Sequence, residues 1–247
     1  MAAKRSKENG RKRFHFLDLL LPSRDGATNR DSQRRRVSPP FSRRHRPRVE
    51  PLESRLLLTL DVSLDGGNLL LREIGSGSDT LQVGYDSVES SYVFTDSTKP
   101  LTTSIAAATG GGTNTVKVPA SLITGDISLA TGDGDDVVTV ASSFELVTGR
   151  SVSLDLGVGS DSIDWKAEST LDSLTVVAEQ TQLSVPFITT SGVQTWNTSL
   201  QVSIATTLSG DGVVLQDVDL GQKDLIVSSQ GDIEVSGSIT NGGSGEI

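Results

Sequence analysis

Apolar and polar residues alternate over short runs from Asp61 onward, with Gly, Asp and Asn between the runs. Leu69-Leu70-Leu71, Thr80-Leu81-Gln82-Val83, Tyr92-Val93-Phe94, Val116-Lys117-Val118 and the residues at 137–140 read as strands bounded by turns. The same signal returns at 173–177, 200–204, 213–215, 225–227 and 233–235. No window carries a period of 3.6, and Thr175-Val176-Val177 makes 169–179 a strand rather than a helix. The pattern predicts an all-β chain.

The segment 124–163 repeats itself. Thr124-Gly125, Ile127-Ser128-Leu129 and Gly132-Asp133-Gly134-Asp135-Asp136 are followed by Thr148-Gly149, Val152-Ser153-Leu154 and Gly157-Val158-Gly159-Ser160-Asp161. A period of 24–25 residues built of short strands and a Gly-Asp turn has the size of one coil of a stacked repeat. The expected fold is therefore a right-handed parallel β-helix, or solenoid, over 61–247. At ~23 residues per coil this gives about 8 coils and a rod on the order of 40 Å long. A β-sandwich is the alternative; it requires successive antiparallel hairpins, and the repeat at 124–163 favours stacking.

Four segments share Gly-x-Gly-x-(Asp or Asn)-x-apolar: they start at Gly75, Gly110, Gly132 and Gly157, and Gly210-Asp211-Gly212 is a weaker copy. Glycine turns the chain at positive φ, and the following Asp or Asn binds backbone amides or a cation. These segments resemble the calcium-binding nonapeptide of RTX β-rolls, Gly-Gly-x-Gly-x-Asp-x-apolar-x. Ile74, Thr131 and Leu156 stand where that family has its first glycine, and the copies are more than 20 residues apart instead of nine. The resemblance implies calcium as a cofactor, with Asp133, Asp135, Asp136, Asp161 and Asp79 as its candidate ligands. Stacked coils would set Asp136 over Asp161. Calcium takes 6–8 oxygens, so carbonyls would have to complete the shell. The other reading is a plain turn.

Charge divides the chain. Residues 1–55 hold 16 Lys and Arg against 6 Asp and Glu, a charge of +10; residues 56–247 hold 6 against 25, a charge of −19. The first 48 residues, rich in Arg, Lys, Ser and Pro, are expected to be a disordered basic tail that meets an anionic surface or the export machinery. Nucleic acid fits the same charge but is not favoured, because no aromatic-interleaved binding fold accompanies it. Cysteine is absent, and both histidines, His15 and His45, lie in the basic head, so the acidic body has no Ser-His-Asp or Cys-His arrangement. No run of 18 apolar residues exists to form a transmembrane helix.

Between head and body, residues 49–60 contain Leu52-Glu53-Ser54-Arg55-Leu56-Leu57-Leu58. This resembles the LEPR-XLL motif, Leu-Glu-Pro-Arg-x-Leu-Leu, with Ser54 in place of the proline. In that family the motif follows a basic stretch near the start of large bacterial surface or secreted proteins. The resemblance implies an export or sorting signal and a location at the cell surface or outside the cell. The competing reading makes residues 56–62 the first strand. Near the other end, 230–239 resembles rungs of filamentous-haemagglutinin-like adhesins, and the absence of a polar cap after it suggests a chain that continues or pairs with a partner.

Together these point to an exported, non-enzymatic, adhesin-like scaffold whose partners are extracellular polysaccharide or a cell-surface protein. The competing class is a polysaccharide lyase or hydrolase on a β-helix, for which Arg150 beside Asp136 and Asp161 is the best constellation. Trp165 and Trp196 are read as core, with sugar platforms as the alternative.

Overall fold

The computed structural model describes residues 60–144 and 149–242; the basic tail and all of the motif at 49–60 except Leu60 lie outside them. The described residues are all-β, with one short 3-10 turn at Ala120–Leu122 and no α-helix. None of their segments is a helix long and apolar enough to cross a membrane.

The sequence predicts parallel pairing throughout 61–247; the main sheet is instead mixed. Its first strands are antiparallel. β1 (Leu60–Asp65) and β2 (Asn68–Glu73) form a hairpin through Gly66 and Gly67, both at positive φ. β3 (Thr80–Asp86), β4 (Ser91–Asp96) and β6 (Thr115–Pro119) form an antiparallel set, and the short β5 (Thr102–Thr103) runs beside β1. A repeat pattern shows only that strands alternate; which edge a strand meets is decided by distant partners.

Parallel pairs begin with the repeat. β7 (Ile127–Ala130) and β9 (Val152–Asp155) extend from β2, while β8 (Val137–Val140) and β10 (Ser162–Trp165) extend from β3. These two faces fuse at β12 (Leu174–Leu183), whose first half pairs with β9 and whose second half pairs with β10. β14 (Val193–Val202) and β16 (Gly212–Asp219) follow in parallel, then β18 (Ile233–Val235) and β19 (Ile239–Thr240). A second, wholly parallel sheet holds β11 (Ser169–Leu171), β13 (Phe187–Thr190), β15 (Thr206–Gly210) and β17 (Leu225–Ser229).

The register lines up residues in columns, two of them apolar except at Thr181. One runs Leu71, Leu129, Leu154, Val176, Trp196, Leu215, Val235; another runs Leu81, Val138, Ile163, Thr181, Leu200, Val218, Ile239. Ile163 lies against Val138: Val138 is buried and Val137 is 42 % exposed, so the inward residue stands two places after Asp136, at the apolar position of the Gly-x-Gly-x-Asp-x-apolar pattern. Trp165 and Trp196 are fully buried and meet edge to face, ring centroids 6.0 Å apart, which places them in the core. Gln194 occupies an otherwise apolar column. It is fully buried, and its Nε2 donates to the Ile188 and Ser209 carbonyls at 3.1 and 2.7 Å while its Oε1 accepts from Trp196 Nε1 at 3.3 Å.

The period is not constant. The first column position passes through Ile127, Val152, Leu174, Gln194, Val213 and Ile233, so successive spacings are 25, 22, 20, 19 and 20 residues. The first shortening lies between the strands that leave this face and the next layer, where 141–151 gives way to 166–173; the second lies at one corner. Residues 131–136 join β7 to β8 and 156–161 join β9 to β10, but in β12 this turn shrinks to a bulge at Ala178 and Glu179, where the pairing with β14 shifts register. Six turn residues become two, and the strand runs through.

Candidate functional site: a column of carboxylates

The Gly-Asp turns meet at that corner. Asp79, Asp136 and Asp161 are each at most 1 % exposed and stand one above the other. Asp79 N–H donates to Asp136 Oδ1 at 2.7 Å, Asp136 N–H to Asp161 Oδ1 at 2.8 Å, and Asp161 N–H to Glu179 Oε2 at 2.8 Å. The carboxylates of Asp136, Asp161 and Glu179 thus each satisfy the turn amide of the layer beside them. These are charge-assisted bonds, about twice as strong as neutral ones, and they give the buried amide the partner that it needs.

The turns approach closely because they carry glycines. Gly132, Gly134 and Gly157 have φ of 87°, 144° and 88°, and a Cβ at Gly134 or Gly157 would overlap the backbone of the neighbouring turn, Ser78 in the first case and Gly132 in the second.

Lys99 ends the column on the β3 side. Its Nζ donates to Asp79 Oδ1 at 3.1 Å and to the Gly77 carbonyl at 2.9 Å. Asp96 places it: this buried carboxylate accepts from the Thr98 amide and hydroxyl, both at 2.7 Å, and from the Lys99 amide at 3.0 Å. Glu179 ends the column on the other side. Asp136 Oδ2 and Asp161 Oδ2 are buried without a hydrogen-bond partner. Burial pushes the Asp161 carboxyl up to about 6; the charges of Glu179 and Asp136 add to this, and the Asp136 N–H opposes it.

The five residues predicted as calcium ligands therefore divide. Asp79, Asp136 and Asp161 share the buried column. Asp133 and Asp135 are exposed on the outer side of the turn, where Asp133 N–H donates to Glu73 Oε2 at 3.0 Å and Asp135 Oδ1 accepts from Ser160 N–H at 2.9 Å. No group of three or more His, Cys, Asp or Glu among the described residues is arranged to hold a metal ion. Arg150 precedes β9 whereas Asp161 follows it, and among the described residues Arg150 makes no ion pair with Asp136 or Asp161.

The turn at Gly110 does not join the column. It lies between β5 and β6, where Asn114 Nδ2 donates to the Asp96 carbonyl at 2.8 Å. Sequence reasoning missed Lys99 and Glu179. The first carries a signal, because Asp96-Ser97-Thr98-Lys99 is an Asx-type turn; the second carries none, because the glycines that mark the other layers are gone.

No protein-family model matches this chain, and neither a curated protein nor a solved structure does.

Proposed function

We propose that this chain is an exported, non-enzymatic scaffold of stacked β-coils, a right-handed parallel β-helix whose first layers are antiparallel. At the cell surface or outside the cell it contacts polysaccharide or a surface protein. The observation that carries the reading is the column of paired strand positions from Ile127 to Ile233, in which successive layers repeat one pattern of apolar positions inside and, apart from Gln194 and the buried aspartates, polar ones outside. Such a surface offers many similar contacts and no single chemical centre. The basic head and the motif at 49–60 supply the address.

A reporter fused to residues 1–60 and expressed in a bacterial host tests the export. Appearance of the reporter outside the cytoplasm, abolished by Arg55→Ala, is the expected result; a reporter that stays inside sinks the reading. Turnover of a polysaccharide by the purified chain, lost in Arg150→Ala, would replace it with the lyase or hydrolase. The calcium reading of the Gly-Asp turns has its own test: binding at those aspartates raises the melting temperature in millimolar calcium, and a melt that neither calcium nor a chelator moves removes calcium from the proposal.

A further inference from the structure

The antiparallel strands carry a pit beside Gly84. Along β3, Gln82, Gly84 and Asp86 share the face opposite Leu81 and Val83, and Gly84, covered by the segment around Ser143, sets no side chain between its two neighbours. Gly84 pairs with Val93 of β4 on one side, and the segment that follows β8 brings Ser143 up on the other. Its φ lies outside the left-handed region, so the backbone does not demand glycine here. A Cβ would come 3.1 Å from Ser143 Oγ and otherwise meet only ordinary contact. A strand glycine that its own backbone does not require marks a close approach by something else. The resulting cavity has a volume of about 390 Å³, within the range of small-ligand sites.

We propose that this pit binds one neutral sugar residue. The inference rests on the surface-scaffold reading and gives its polysaccharide partner a place to dock.

The lining decides the ligand class. Gln82, Ser87 and Ser143 each donate and accept, which suits a ligand whose own groups do both, as hydroxyls do. Asp86 is a fixed acceptor: its Oδ1 takes the Val88 and Glu89 amides at 3.0 and 3.1 Å, and its Oδ2 takes Lys117 Nζ at 3.1 Å. Lys117 is bound to Glu89 as well, at 2.7 Å, so the cation beside the pit is already countered twice. An anionic sugar or a phosphate would find no free positive charge here and would face a body of charge −19. Val93, paired with Gly84, adds apolar surface.

The test uses the full chain with the methyl glycosides of glucose, galactose, mannose and N-acetylglucosamine, and glucuronate as the charged control. Saturation-transfer and amide-shift NMR read the binding. The expected result is saturable binding of at least one neutral glycoside with shifts at Gly84 and Ser143, weakened roughly tenfold in Gln82→Ala and abolished in Gly84→Val. Gln82 is exposed, so its variant decides the matter if Gly84→Val fails to fold. Silence from every neutral glycoside, preference for glucuronate, or binding that both variants keep overturns the proposal. These outcomes leave the export reading standing, whereas a reporter retained in the cell removes that reading whether or not the pit binds sugar.

Discussion

The first and the last described layers of the strand stack are covered differently. On the β1 side, Leu60, Val62, Tyr92, Phe94, Val116 and Val118 are fully buried, because hairpins fold back and cover the columns. On the β18 side, the same columns close on Ile233, Val235 and Ile239 at 51, 38 and 47 % exposure. Antiparallel strands can reverse on a two-residue turn and shield their own apolar face; parallel strands need a full circuit for each new layer and always present the next one with an edge. Local irregularity at the β1 end is what covers the core there.

The sharpest way to break this comparison is to empty one large buried position in each region. Phe94→Ala and Trp196→Ala should each cost about 3–5 kcal/mol, read by denaturant unfolding. If the antiparallel strands and the layers form one cooperative unit, both variants shift a single transition. Two transitions in Phe94→Ala alone would separate them.

Next in size is the end of the carboxylate column. Lys99→Ala removes the cation next to buried Asp79 and should destabilise by about 2 kcal/mol, since a buried carboxylate that loses its partner is costly. Lys166→Ala, an ion pair in which both side chains are partly exposed, should change the same melt by no more than about 0.5 kcal/mol.

The glycines give a paired test. Gly157→Ala in the layers and Gly66→Ala in the hairpin both place a side chain at positive φ, but only the first meets a neighbouring turn. The hairpin variant should lose about 1 kcal/mol and the layer variant clearly more, both measured by thermal unfolding. Equal losses would mean that the turns do not hold the layers at a fixed distance.

The column also implies a pH dependence. The Asp161 carboxyl is raised in the folded chain from 3.8 to about 6, so between these values the folded state holds more protons than the unfolded one. Its contribution to stability therefore grows as pH falls through about 6 and is lost as pH rises through it. Asp86 and Asp217, held below their ordinary value by hydrogen bonds, act in the opposite sense, and only below the ordinary carboxylate range. Asp161→Asn should flatten the melting temperature between about pH 4 and 6 relative to the unmodified chain; a variant that follows the same curve would show that Asp161 does not titrate there.

Much of this was legible before any coordinates. Alternation gave the strands, and the doubled phrase at 124–163 placed Asp136 beside Asp161. What stayed hidden depends on partners far away in the chain. The turns at Gly75 and Gly110 read alike, yet one enters the column and the other closes an antiparallel loop, because β4 and β6 claim the strands around it. The shortened corner could not be read either. It deletes the very residues that made the repeat visible, so Glu179 takes over the role of the turn aspartate with no glycine to announce it.

That corner has a consequence for how such a chain can change. Six residues and two residues occupy the same place in adjacent layers, and the strands on either side keep their alignment. Length is absorbed where the path bends, so a peptide graft between Ala178 and Glu179 should sit proud of the body like a tab on a file, leaving the pages beneath it in order.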